Sequence, residues 1–246
     1  MSLTVLVFLA LGAFAGSCVN GLAGFGTAIV ALSIWLHVFD PATATALAVT
    51  CAVIGHGLAV IRRGFDFLTV DAVPLIIGGL LGIPLGVYLL LYLDPFYVKV
   101  GAGLLLMAYV GINLARPSQV VAVPHRRLAD GSVGFLSGIL GGFAGLSGVI
   151  PSFWGNFCGW GKLEQRRIYQ TFNGTILTAT LIAHVWNGVF TTENLWLALL
   201  CVPFAVVGTS VGLRLFDKVD EAQFRLFMHL LLFFSGLMLV LPAVVL

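Results

Sequence analysis

Charge is what this chain has least of. Only 9% of its 246 residues are Asp, Glu, Lys or Arg, against 60% hydrophobic. No soluble domain of this size hides that much apolar surface, and the class is a membrane protein. The basic residues occur in short clusters between apolar runs, so the basic face of a nucleic-acid binder is missing. All ten acidic residues lie in loops or at the ends of apolar runs, which disfavours a cation carrier built on intramembrane carboxylates. The four cysteines, Cys18, Cys51, Cys158 and Cys201, stand singly. They outline neither a disulfide framework nor a metal site, and no cofactor or metal is expected. The start lacks a basic segment and runs on into apolar sequence, unlike a cleavable signal peptide. There is no HExxH motif, no pair of intramembrane aspartates and no nucleophile beside a general base, so an intramembrane enzyme is disfavoured.

What the chain has in plenty is long apolar runs and 30 glycines. The densest cluster is residues 138–151, GILGGFAGLSGVIP. A helix that rich in glycine loses about 1 kcal/mol per glycine against alanine, and lipid has no water for freed backbone groups. The stretch therefore predicts a helix break sheltered by protein. Residues 18–29, CVNGLAGFGTAI, echo it, with Val19 matching Leu140, Gly21 matching Gly142, Ala23 matching Ala144, Gly24 matching Gly145 and Ile29 matching Ile150. Further echoes follow in order: Val73-Pro74 with Val202-Pro203, Leu93-Asp94 with Val219-Asp220, and Gly111 with Gly236.

Apolar segments are expected at 3–20, 23–38, 42–61, 71–93 and 95–114, then at 132–144, 149–160, 168–186, 195–213 and 224–245. Asp40-Pro41 suits a helix start and Arg62-Arg63-Gly64 a stop. Glycines 78, 79, 82 and 86 suit close helix packing. The expected organisation is a first transmembrane repeat over 1–115, a linker over 116–130 and a second, inverted repeat over 131–246. The first two segments of each repeat are expected to be short or broken; residues 149–160 would span only about 18 Å of a hydrocarbon core of about 30 Å. The fold class is thus an all-α polytopic membrane protein with two inverted repeats of about five helical segments each.

Five segments per repeat place Arg62, Arg63, Arg116, Arg126, Arg127, Lys162, Arg166, Arg167, Arg214, Lys218 and Arg225 on one side and Lys99 alone on the other. The positive-inside rule makes the crowded side cytoplasmic, which puts both termini in the periplasm and the protein in the plasma (inner) membrane. Four segments per repeat split the same residues about five to seven and leave no bias. The loop at Arg62-Arg63 is basic and its counterpart at 187–194 is not, while the loop at Asp40 is neutral of Lys and Arg and its counterpart at 162–167 is basic. Inverted repeats of this kind recur in transporters that bind substrate near the midplane at discontinuous helices.

A half-helix N-terminus offers N–H groups and partial positive charge to an anion. Candidate substrate-binding residues are Asn20, Gly21, Gly24, Gly26, Thr27, Thr50, Gly142, Gly145, Ser147, Gly148, Ser152, Asn156, Thr171 and Asn173. The alternative for the glycines is tight helix packing. Thr50 and Thr171 either face the midplane or bond their own helices. His56 and His184 either carry a coupling proton or pack near helix ends. Arg166 and Arg167 are topology anchors or, alternatively, attract an anion.

GFLSGILGGFAGLSGVIP at 134–151 resembles the second-repeat signature of the TauE/SafE sulfite-exporter family of membrane permeases, and NGLAGFGTAIVAL at 20–32 resembles the same signature without its triple glycine. The resemblance implies a plasma-membrane permease for sulfite, sulfoacetate or related organosulfonates, often an exporter. The expected function is a secondary transporter, not an enzyme, holding a small anion at the two breaks and working by alternating access. An anion channel is the alternative. Expected partners are that anion, membrane lipid, protons as coupling ion and a second copy in a homodimer; nucleic acid is not among them.

Overall fold

The computed structural model describes residues 3–64, 69–94 and 126–220, with single positions between 100 and 111 and between 222 and 230. Apart from those positions, the expected segments 95–114 and 224–245 lie outside the described residues. Eight α-helices occur among the described residues: α1 Leu3–Ala23, α2 Thr27–Trp35, α3 Pro41–Arg63, α4 Val73–Tyr92, α5 Arg126–Ala144, α6 Val149–Phe157, α7 Lys162–Trp186 and α8 Thr192–Lys218. A 3-10 turn, Val70–Ala72, leads into α4, and no strand occurs among the described residues. Four stretches are long and apolar enough to cross a membrane: Leu3–Ala23, Pro41–Arg63, Val70–Tyr92 and Asn194–Lys218.

Local chemistry accounts for the boundaries. Asp40 caps α3 by accepting from the Thr43 N–H at 3.0 Å, with Pro41 in the first turn. Arg62 and Arg63 fill its last turn, where the helix dipole favours cations, and Gly64 ends it with φ 77°. Both α1 and α5 end on a left-handed glycine. Gly24 (φ 81°) donates to the Asn20 carbonyl at 2.8 Å and Gly145 (φ 68°) to the Gly141 carbonyl at 2.8 Å. Both are left-handed caps, which a Cβ would strain, and at α5 the Leu146 N–H adds a bond to the Leu140 carbonyl at 3.1 Å.

Some expected lengths change. α1 has 21 residues and α5 has 19, so only the second member of each pair, α2 or α6 with nine residues each, is short. α5 already begins at Arg126, inside the expected linker, and α7 begins at Lys162, inside the expected basic loop. Gly21, Gly138, Gly141 and Gly142 stay helical because neighbouring helices lie against them, which supplies the packing that isolated glycine lacks.

The most extensive contacts are α4 along α5 and α1 along α8. Both pairs meet backbone to backbone at glycine. A Cβ on Gly208 would strike the Phe14 carbonyl and the Cys18 amide, and one on Gly82 the Phe135 carbonyl and the Ile139 amide. Gly212 meets Cys18 and Leu22 as Gly86 meets Ile139 and Phe143. From Phe14 to Phe135, Cys18 to Ile139 and Leu22 to Phe143 the step is 121 each time; from Gly82 to Gly208 and Gly86 to Gly212 it is 126. Leu93-Asp94 and Val219-Asp220 share the step of 126, whereas Val73-Pro74 and Val202-Pro203 are 129 apart and out of register with the packing.

α2 folds back on α1. Trp35, fully buried, lies over Gly12 and donates its indole N–H to the Phe8 carbonyl at 3.0 Å. At one end of the bundle the last carbonyls of α8 are capped by cations: Arg63 donates to Leu213 at 2.9 Å and pairs with Asp217 at 2.6 Å, and Lys162 donates to Phe216 at 2.9 Å and Val219 at 2.6 Å. Arg126 lies over Trp160 at the same end, with its own helix's Asp130 accepting from the Trp154 indole at 2.6 Å. The opposite end joins α3 to α8 through the Thr43 hydroxyl and Asn194 at 3.1 Å.

Gly82→Ala is expected to destabilise the purified protein by about 1–3 kcal/mol through overpacking. Gly57, with nothing within 4 Å of an added Cβ, is expected to tolerate alanine or gain up to about 1 kcal/mol. Thermal melts read both, and equal shifts would refute the close-contact role of Gly82.

Candidate functional site

The chain leaves helix at residues 24–26 and 145–148, and the two turns touch. The Phe25 ring sits on Gly148, where a Cβ would fall 2.7 Å from the ring Cγ. A Cβ on Gly145 would stand 3.2 Å from Ala28 and 3.2 Å from Val49. Phe25 is held edge-on by Tyr169, ring centroids 5.3 Å apart, and the Tyr169 hydroxyl donates to the Ser152 carbonyl at 3.3 Å.

One buried side chain joins the turns. Asn173 on α7 donates through Nδ2 to the Gly24 carbonyl at 3.1 Å and accepts through Oδ1 from the Ser147 hydroxyl at 2.7 Å. The Gly24 carbonyl, which can only accept, fixes the amide orientation, and the Ser147 hydroxyl then donates to Oδ1. Asn173 and Ser147 are fully buried.

α7 reaches the turns along a single face. Arg166, Gln170, Asn173, Thr180 and His184 follow helical spacing and are all buried. Arg166 donates to the Asn20 carbonyl at 3.2 Å and the Gly21 carbonyl at 3.0 Å, and its guanidinium occupies the space a Cβ on Gly24 would need. It thereby caps the negative end of α1. At the far end of α7, His184 Nε2 donates to the Gly142 carbonyl at 3.0 Å, which requires the Nε2–H tautomer. Gly21 and Gly142 are counterparts by the step of 121, so each helix end receives a side-chain donor from α7.

The predicted residues divide. Asn20, Gly24, Gly145, Ser147, Gly148 and Asn173 meet at or beside the turns. Asn20 donates to the Ala52 carbonyl at 3.4 Å. Thr27, 2% exposed and first in α2, has a hydroxyl with no partner among the described residues. Gly26 caps α2 with φ 99°. Gly21 and Gly142 hold the capped carbonyls and pack on α8 and α4. Ser152 bonds its own helix at Val149, and so does Thr50 at Ala46. Thr171 donates to Arg167 in its own helix and accepts from the Thr69 N–H, so it tethers the loop before α4. The side chain of Asn156 lies outside the described residues. His184 is a helix-end cap, while the His56 ring has only the Gln170 side chain as a hydrogen-bonding neighbour among the described residues.

Arg166 departs most from expectation. It is 1% exposed, whereas Arg167 points outward. Reading the Arg pair as one surface cluster misses it. The periodic polar face of α7 is the signal that distinguishes the two. Gln170 and Thr209 were likewise not among the expected site residues.

Among the described residues no group of three His, Cys, Asp or Glu side chains could hold a metal ion. Buried ionisable groups near the turns are Arg166, His56 and His184, and no carboxylate joins them there among the described residues. The arrangement is one of fixed backbone dipoles, hydroxyls and cationic or neutral nitrogen, with the Arg166, Asn173, Ser147 and His184 donors each engaged with a protein oxygen.

No curated protein and no solved structure matches the chain. Residues 8–239 match the family described as Sulfite exporter TauE/SafE, a family of membrane transporters and not of enzymes. With nearly its whole length so matched, the chain belongs to the TauE/SafE sulfite-exporter family.

Proposed function

We propose that the chain is a secondary carrier in the plasma membrane that moves sulfite or a related sulfur-containing anion by alternating access, holding it where the two glycine turns meet. The observation that carries this reading is the double bond of Asn173 to Gly24 and Ser147. One residue of α7 senses both turns, so a shift of either half is felt at the other. The nine-residue helices α2 and α6 start beside those turns, and their N-termini supply positive dipole ends at a shared point. The lack of carboxylates near the turns, among the described residues, favours an anion over a cation.

Two inverted repeats account for the exchanged packing. α1 of the first half lies along α8 of the second, and α5 of the second lies along α4 of the first, with the same glycine contacts in register. A pseudo-two-fold axis in the membrane plane generates both pairs from one, and the touching turns then lie near it. The cations at the Arg63, Lys162 and Arg126 end belong to the cytoplasmic side on this reading. A carrier also fits better than a channel, because the turns are closed by Phe25 on Gly148.

Gly145→Leu is expected to insert normally and abolish sulfite counterflow in proteoliposomes, because a side chain there is strained by φ 68° and would meet Ala28 and Val49. Unchanged flux would remove the turns from the site. In a variant with its four native cysteines replaced, Asn187→Cys should react with an impermeant maleimide on intact cells and Arg127→Cys only after permeabilisation; the opposite pattern overturns the orientation. Proton coupling falls to His56. Arg166 on α7 is the charged group near it, and the neighbouring positions on α1 and α8 carry Asn20 and Thr209. His56→Gln should flatten the pH dependence of transport while His184→Gln retains it, and a profile unaltered in the double variant excludes both.

A further inference from the structure

A second set of polar groups lies beside the turns, around Gly55. A Cβ there would meet Asn20 Nδ2, 2.5 Å away, and the Thr209 hydroxyl, 3.0 Å away. His56 follows in α3, and Gln170 donates through Nε2 to the His56 carbonyl at 2.9 Å. Arg166, one turn before Gln170, bonds the Asn20 carbonyl. Asn20, His56, Gln170 and Thr209 are each at most 4% exposed. Even so, Asn20 Oδ1 and Thr209 Oγ1 have no partner among the described residues, and the His56 ring has only the Gln170 side chain as a hydrogen-bonding neighbour. Buried polar atoms left this way cost free energy, and two at one place call for an occupant.

The sense of the amides is determined. Asn20 gives its Nδ2 to Ala52 and Gln170 its Nε2 to His56, so turning either over would set oxygen against carbonyl oxygen. The Asn20 amide oxygen is therefore held as an acceptor, and a bare oxyanion, itself an acceptor, does not satisfy it. The fold does not need this polarity. By the steps of 121 and 126, the counterparts of Asn20, Gly55, His56 and Thr209 are Gly141, Ile176, Leu177 and Ile83, and there the Ile and Leu side chains are buried in apolar packing. The second half fills the same place with hydrocarbon.

Resting on the carrier reading above, we infer that the Gly55 cluster binds the transported anion and selects one that carries a hydrogen-bond donor beside its anionic group, such as a hydroxyl-bearing or ammonium-bearing sulfonate or a monoprotonated oxyanion. Asn20 Oδ1 takes the donor, the Thr209 hydroxyl and the adjoining Gln170 and His56 side chains adjust to either role, and Arg166 supplies positive potential for the anionic end. The site thus sits on the first-half side of the pseudo-two-fold axis.

The test uses the full chain in proteoliposomes. Ethanesulfonate and 2-hydroxyethanesulfonate, alike in charge but for one hydroxyl, compete against sulfite counterflow at fixed pH. The hydroxylated anion should compete about tenfold better, the scale of a buried acceptor gaining its donor. The preference should fall below about twofold in Gln170→Met and in the near-isosteric Thr209→Val, the latter guarding against misfolding, with melting temperatures read beside both. Equal competition, or none by either sulfonate, overturns the proposal and assigns the cluster to bound water, while the carrier reading stands as long as sulfite moves. A preference that persists in both variants overturns the residue assignment. Absence of sulfite counterflow overturns the carrier reading itself.

Discussion

The structure turns on one constraint: backbone groups released inside an apolar bundle must find partners within the protein. Two helices end inside the bundle, each on a left-handed glycine whose N–H closes one bond, and at α5 the Leu146 N–H closes a second. The remaining carbonyls are met by side chains of α7. Arg166 serves Asn20 and Gly21, Asn173 serves Gly24, and His184 serves Gly142. An unmet carbonyl would cost several kcal/mol in lipid. The polar face of α7 is thus dictated by the turns, and the turns are tolerable because of α7.

Glycine works in the opposite sense along α4, α5, α1 and α8. There it stays helical and removes side chains so that backbones touch, replacing a hydrophobic drive that lipid does not supply. The same residue type therefore marks both breaks and contacts, which limits what a glycine count alone reveals. Residues 138–142 contain three glycines, and all of them are helical; the break comes at Gly145. Backbone torsion, set by what packs alongside, separates the two uses.

Much of the architecture was legible from one chain. The capped start at Asp40-Pro41, the stop at Gly64 and the glycine turns all rest on local chemistry, and the structure places helix ends there. Helix starts beside charge were less legible. Arg126 and Lys162 open helices where polarity suggests loops, because snorkelling side chains satisfy the surface while the backbone stays helical. The turn glycines stood out through the echo of the two stretches, Ser147 as a neutral donor beside them, and Asn173 only as the residue two places after Thr171. Arg166 was not legible, since a sequence cluster of two arginines hides which one faces inward. Thr209 and Gln170 had no motif at all, and only the packing of four helices around Gly55 brings them together.

Duplication also explains why the two halves need not be chemically alike. The shared register constrains glycines, whose contacts are backbone to backbone, and leaves the side chains between them free. Ile176 and Leu177 fill one half with hydrocarbon, while in the other Asn20 and Thr209 pack their polar groups against Gly55, beside His56. On the proposed alternating-access reading, a symmetric frame would give two states of similar energy, because each state is the other with the halves exchanged. A polar cluster confined to one half breaks that equivalence. Its occupant interacts differently with the two states, and a ligand shifts a conformational equilibrium only through such a difference.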